Sequence, residues 1–346
     1  MKFEKIVNDE VLVKKPHKIE WQIIWANVII VIYIHFTALY GIYLTIFYPI
    51  KLWTFIWFFA VGIFSNIGST AGVHRLWSHR SYKAKWPMKL ILMIFQTISY
   101  QGHIYGWVRD HRVHHKFTDT DADPYNARKG FFFSHIGWIL VHKHPDVISK
   151  GAMIDLSDLK QDCLVVFQRK YDGHSLFCRS KFNLKNICIY CLFNFNGFVS
   201  FIYTFFRWYR YLMLFCCFII PTLIPWWVWS ENLWCAWHLN MTRCVINLHT
   251  ILSINSAAHM WGVKPYDKSI SPTENAVVSF ISCGEGWHNY HHVFPWDYKA
   301  AELGNYKLNI ATAFIDFFAY LGLAYDLKTA SAKIVKKRAL RNSEIN

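Results

Sequence analysis

The chain has 346 residues, of which 54% are hydrophobic and 18% aromatic while only 17% are charged. With 17 Trp, 19 Tyr and 28 Phe, this composition excludes an ordinary soluble enzyme. The net charge of +15 points to anionic partners, but the basic residues are scattered rather than arrayed on a nucleic-acid module, which argues against nucleic acid and leaves the anionic membrane leaflet, a phosphate-bearing substrate or an acidic redox donor.

The first 20 residues form a charged tail with Lys2, Lys5, Lys14, Lys15 and Lys18 and without the apolar core of a cleavable signal, so the first span is expected to act as the targeting signal. Residues 23–49 carry no charge and exceed the roughly 20 needed to cross a hydrocarbon core. A second apolar run, 52–73, follows after a turn and predicts a helical hairpin. Segment 88–106 is interrupted by Lys89, Gln96, Gln101 and His103 and predicts a buried or interfacial helix. Further runs at 211–229 and 233–258, separated by Ser230, Glu231 and Asn232, predict a second hairpin. Residues 331–346 are a basic tail with Lys333, Lys336, Lys337, Arg338 and Arg341. The charge bias places both ends in the cytosol, which requires an even number of spans. The expected fold is an all-α integral membrane protein, with four transmembrane helices in two hairpins carrying a cytosolic helical cap.

Histidines supply the chemistry. They cluster as HRLWSH (His74, His79), HRVHH (His111, His114, His115) and HNYHH (His288, His291, His292), with His259 alone. HxxHH sets three rings at i, i+3 and i+4 on one helical face, where neutral imidazoles can converge on a metal. Eight clustered ligands are too many for one ion, so two metals are implied. A zinc hydrolase is excluded because HExxH is absent, and a carboxylate-rich di-iron bundle because Glu285–His288 is the only clear ExxH. Histidines without ligand spacing (His17, His35, His103, His135, His142, His144, His174, His238 and His249) read as core or surface residues. The spans return all the clustered histidines to the cytosolic side. Asp110, Asp119 and Asp123 are candidates for orienting the rings, although solvated surface roles fit them equally well. Arg75, Arg80, Lys83, Lys85, Arg109, Arg112 and Lys116 form a local concentration suited to phosphates or to a positive-inside flank. The nine cysteines show no disulfide framework, and Cys188 and Cys191, amid apolar residues, make a weak redox motif.

At STAGVHRLWSHRSYKA, WVRDHRVHHKFTDTDADPYNARKGFFFSHIGW, NSAAHMWG and GEGWHNYHHVFPWDY the chain closely resembles the membrane acyl-CoA desaturases of the stearoyl-CoA type, from about residue 20 to 330. The resemblance implies a four-span fold in the endoplasmic reticulum membrane whose cap holds two iron ions. It assigns His74, His79, His111, His115 and His292 to one iron and His114, His259, His288 and His291 to the other, with Asn255 linked through water. It further implies a long-chain acyl-CoA substrate, a cis double bond at C9 or C11, and electrons from NADH through cytochrome b5 and its reductase. Gln101 and Trp107 match tunnel positions, while Arg109 and Asp110 match positions contacting CoA. Two departures stand out: His142-Lys143 replaces the usual Arg-Lys before His-Pro, keeping Lys143 alone to face phosphate, and Thr250–Ile254 replaces an aromatic-bearing stretch before NSAAH. A third is Phe64-Ser65-Asn66 before His74, where small apolar residues are usual.

Residues 172–208 break the resemblance, although FQRKY before and YLMLFCCFIIP after preserve it. This block reads as an insertion with the composition of retained non-coding sequence. Ile187–Phe206 is uncharged and long enough to span, yet a fifth span would put His259 and the last cluster across the membrane from the first two. The alternatives to a desaturase are a histidine-box fatty-acid hydroxylase, separable by its hydroxy product, and a non-catalytic membrane transporter, disfavoured by histidines at span ends and separable by iron content.

Overall fold

The computed structural model describes residues 21–169, 209–302 and 309–344. The N-terminal lysines, the 172–208 block and the Cys188/Cys191 motif lie outside the described residues. Helix α1 (Trp25–Phe47) buries only Ile34, Ala38, Gly41 and Leu44, spaced along one seam, while Ile29, Phe36, Leu39 and Phe47 stay exposed. Exposed side chains this apolar suit lipid rather than water. The buried seam packs along the helix Leu233–Asn255. Gly41 permits the close approach, since a Cβ there would stand 2.2 Å from Thr242 Oγ1 and 2.5 Å from the His238 carbonyl oxygen.

Helix α2 (Leu52–Ile67) runs on without a break into a π-helical stretch, Gly68–Ser78, making one 27-residue segment. Helix α3 (Trp86–Ile98) turns back along it, and its 13 residues are too few to cross a bilayer. Helix α4 (Ile104–Phe117) follows, capped by the His103 ring, which accepts from the Gly106 N–H at 3.0 Å.

The helix Tyr211–Trp229 contains Pro221 and Pro225, which lack N–H groups and so free the carbonyls one turn earlier. Both carbonyls find tertiary donors. Cys217 O accepts from Asn240 Nδ2 at 3.1 Å and Arg243 Nη2 at 2.9 Å, and Pro221 O accepts from Trp57 Nε1 at 2.9 Å. These bonds fasten three long helices together.

By length and composition, three described helices can cross a membrane: Trp25–Phe47, Leu52–Ser78 and Tyr211–Trp229. The helix Leu233–Asn255 is equally long at 23 residues but carries His238, Asn240, Arg243, Asn247 and His249. The first four of these are buried against its neighbours.

The two hairpin turns meet at one end. Glu231 Oε2 accepts from the Lys51 N–H at 2.9 Å and Thr54 Oγ1 at 2.6 Å, and Lys51 Nζ donates to Trp229 O at 2.6 Å. At the opposite end the Ile24 N–H donates to Leu140 O at 2.8 Å. There the shorter helices, with a two-residue antiparallel ladder of Lys83–Ala84 and Ala324–Tyr325, form a cap around the histidines.

Candidate metal centre

Four segments deliver the nine clustered histidines to one place. His74 lies in the π-helical stretch, whose wide turn closes with the His79 N–H on the His74 carbonyl at 3.1 Å. His111, His114 and His115 share a face of α4. His259 sits in the short helix Ala257–Met260, offset from Leu233–Asn255 by a break at Ser256, and His288, His291 and His292 lie in the helix His288–Val293.

Their nitrogens form two groups: His74, His79, His111, His115 and His291, and then His114, His259, His288 and His292, with ligand atoms within 4.8 Å of one another in each. In the first, Nε2–Nε2 separations are 3.0 Å for His74–His291, 2.8 Å for His79–His111 and 3.1 Å for His115–His291. In the second they are 3.0 Å for His259–His288 and 3.2 Å for His288–His292. His291 and His292 are thus exchanged relative to the sets implied by the resemblance. Helix geometry is the reason: His292 lies about 40° from His288 around the axis, while His291 lies about 60° to the other side. His291 therefore turns toward His74 and His115.

Acceptors on the outer nitrogens fix several rings. His114 Nδ1 is 2.9 Å from Asp123 Oδ1, and Asp123 is itself held by the N–H groups of Asp119 and Tyr125. His259 Nδ1 lies 2.9 Å from Ser271 Oγ, and His74 Nδ1 lies 2.9 Å from Glu285 Oε2. Of the three carboxylates anticipated, Asp123 alone touches a clustered ring. Glu285 and Ser271 were missed as orienting groups; the ExxH spacing of Glu285 was its one visible signal.

Burial and the crowding of imidazoles push His79, His111, His115, His259, His291 and His292 well below the ordinary histidine pKa, and push His288 down to about 3. These seven rings are neutral at pH 7, with lone pairs available to a metal. His114 Nε2 is buried without a protein partner while Asp123 holds its Nδ1, the disposition of a metal ligand. Donor sets of five and four nitrogens fit imidazole-binding transition metals.

A cavity of about 210 Å³ opens beside the first group and is lined by His74 and His111 together with Gln101, Trp107, Tyr100, Leu248 and Asn255. Trp107 Nε1 donates to Gln101 Oε1 at 3.1 Å, bracing one wall. Ile251, Leu252 and Ile254, from the stretch that departs from the family pattern, line it as well, whereas Ser65 and Asn66 are buried away from it. Arg109 and Lys143 do not line this cavity. Both clasp Asp110, with Arg109 Nη2 at 2.8 Å, leaving an excess positive charge on the cap. The basic concentration is mostly committed elsewhere: Arg75 is 1% exposed and bound to Glu285, Arg80 and Arg112 pair with Asp158, and Lys83 pairs with Asp326. Arg75 is thereby removed from any phosphate-binding role.

His135 and His249, with His35, are joined rather than isolated. His35 Nε2 stands 2.8 Å from His249 Nε2, and His249 Nδ1 stands 2.8 Å from His135 Nε2.

A family model described as fatty acid desaturase matches residues 51–303. An acyl-CoA Delta-9 desaturase of Acheta domesticus is 50% identical over 333 residues, covering 96% of this chain and 82% of the relative. An acyl-CoA Delta12-desaturase of the same organism is 47% identical (96% and 82% covered), and a (11Z)-hexadec-11-enoyl-CoA conjugase of Bombyx mori is 46% identical (97% and 90%). The chain belongs to the fatty acid desaturase family.

Proposed function

We propose that this chain is a fatty acyl-CoA desaturase in which the nine clustered histidines hold two irons and act on a saturated acyl chain of about 14 to 18 carbons at C9 or C11. The observation that carries the reading is the shared wall: His74 and His111 belong to the five-nitrogen group and also line the apolar cavity. A methylene pair lying there touches the site, and an unactivated C–H bond is beyond the side chains' own acid-base or nucleophilic chemistry. When bound, the irons supply an oxidant built from dioxygen and two electrons. The chain's own part is positional. Trp107 and Gln101 shape the cavity, Ile251, Leu252 and Ile254 set its width, Asn255, on the cavity wall four positions before His259, takes the water-linked contact, and Arg109, Lys143 and Asp110 offer a charged rim for the CoA phosphates.

The same reading makes Leu233–Asn255 a fourth span, shielded because its polar side chains face the other helices. Both ends and the site then face the cytosol of an endoplasmic reticulum membrane, where cytochrome b5 and its NADH-dependent reductase are the electron source. The named relatives differ in double-bond position, so the lining of the cavity must decide it. Expression in desaturase-deficient yeast, followed by mass-spectrometric location of the double bond, tests this. A C9 or C11 alkene is expected; a bond at C5 or C6, or a hydroxy acid, would overturn it.

A further inference from the structure

Two thiols lie outside the metal centre, on the helix-to-helix contact beyond the cavity wall. Cys217 sits in the π-turn Phe215–Ile219 and Cys244 in Leu233–Asn255, with Sγ atoms 3.6 Å apart and both side chains buried. Arg243 is aimed at them: its Nη2 lies 2.8 Å from Cys244 Sγ and 3.6 Å from Cys217 Sγ. The other acceptors of this guanidinium are Asn240 Oδ1 and the carbonyls of Ile98 and Cys217, none of them a carboxylate. The ionisable groups facing this buried cation are therefore the two thiols, 3.6 Å from each other.

We propose that Cys217 and Cys244 are an oxidisable dithiol that hydrogen peroxide closes to a disulfide. One thiolate attacks the peroxide O–O bond, giving a sulfenic acid and releasing hydroxide, which takes up the thiol's proton as water. The second sulfur then displaces the sulfenic oxygen as a second water. Two S–H bonds and one O–O bond are lost, one S–S and two O–H bonds are formed, and peroxide accepts the two electrons. The sulfurs must approach by about 1.5 Å to reach bonding distance, within the reach of χ1 rotation at a contact already made. The cavity ends close to the pair: Tyr100 lines it and packs on Phe218, next to Cys217, with ring centroids 5.2 Å apart, so one aromatic layer separates the cavity from the thiols. Resting on the desaturase reading, a source exists too: dioxygen reduced by two electrons without substrate oxidation yields peroxide beside this wall.

The test uses purified full-length protein treated with hydrogen peroxide, then alkylated and peptide-mapped without reduction. A Cys217–Cys244 linked peptide is expected, reversed by dithiothreitol, absent in Cys217→Ser and in Cys244→Ser, and kept in Cys235→Ser. Both cysteines recovered alkylated, or oxidised singly to sulfinic acid without a link, would overturn the proposal. A second arm supplies electrons and air to iron-loaded protein without acyl-CoA, with and without catalase. If added peroxide forms the link but this arm does not, the dithiol site stands and the desaturase reading of the peroxide source fails.

Discussion

Replacing Glu285 with Gln isolates the work of one buried carboxylate. Glu285 is 2% exposed; its Oε1 accepts from Arg75 Nε at 2.9 Å, and its Oε2 lies 2.9 Å from His74 Nδ1. Burial by itself would raise its pKa, but the Arg75 guanidinium and the His74 ring outweigh burial and hold it well below the carboxylate range. A depressed acid stabilises the fold above its unfolded pKa of about 4.3, and that contribution is lost as pH falls through the lower folded value, so it is fully present at pH 7. Gln preserves shape and one acceptor but cancels the charge. Arg75 then keeps only neutral partners, Tyr298 O, Thr312 Oγ1 and Asn309 Oδ1, in a fully buried site. Orphaning one partner of a buried pair costs about 3–5 kcal/mol, a large share of the roughly 5–15 kcal/mol that holds a domain folded. Loss of the His74 contact adds a separate penalty of about 10- to 100-fold in metal affinity or activity. Thermal unfolding and elemental iron analysis of detergent-purified wild type and Glu285→Gln separate the two effects. The variant should melt lower and hold less iron; an unchanged midpoint with full iron would refute the reasoning.

Replacing His111, His259 or His291 with Ala should abolish desaturation and lower bound iron, whereas His17→Ala should do neither. Because His291 and His292 belong to different groups, His291→Ala should disturb the same Mössbauer-resolved iron as His79→Ala, and His292→Ala the other; the opposite pairing would restore the exchanged sets. Burial pushes the Glu274 carboxyl up to about 7 against the opposing N–H groups of Tyr290 and Asn289. That raised value stabilises the fold below about pH 4.3 and is lost as pH rises through about 7, so wild type should lose thermal stability between pH 5 and 8 more steeply than Glu274→Gln, and parallel curves would contradict it. Deleting residues 172–208 should leave iron content and product intact. Gln168 grips the turn between α3 and α4 through the Ile104 N–H at 2.8 Å and Thr97 Oγ1 at 3.1 Å, and the Tyr209 ring reaches His103 in the same turn, so the chain leaves and re-enters at one place. A transcript that retains the block, with activity lost on deletion, would show it to be a working part.

What the sequence made legible was whatever depends on spacing along one element. The apolar runs gave α1 and Tyr211–Trp229 nearly at their observed bounds, the run 52–73 falls inside the longer segment Leu52–Ser78, and HxxHH placed three rings on one face of α4. What it hid depends on how one element is rotated against another. His291 and His292 are neighbours in sequence, and their division between the groups is set by contacts of the intervening side chains: Asn289 Oδ1 accepts from the Tyr266 N–H at 2.9 Å, and Tyr290 Oη donates to Asp297 Oδ2 at 2.8 Å. Those two bonds fix the turn of a six-residue helix. Arg75 was misjudged for a related reason. A cation beside a metal ligand reads as surface charge until Glu285, 210 positions away, is folded against it. The helix Leu233–Asn255 shows the converse. Its polar residues weaken its spanning signature, yet Asn240 and Arg243 are the donors that the Cys217 carbonyl, freed by Pro221 in the neighbouring helix, requires. The features that blur this helix in the sequence are those that hold it in place.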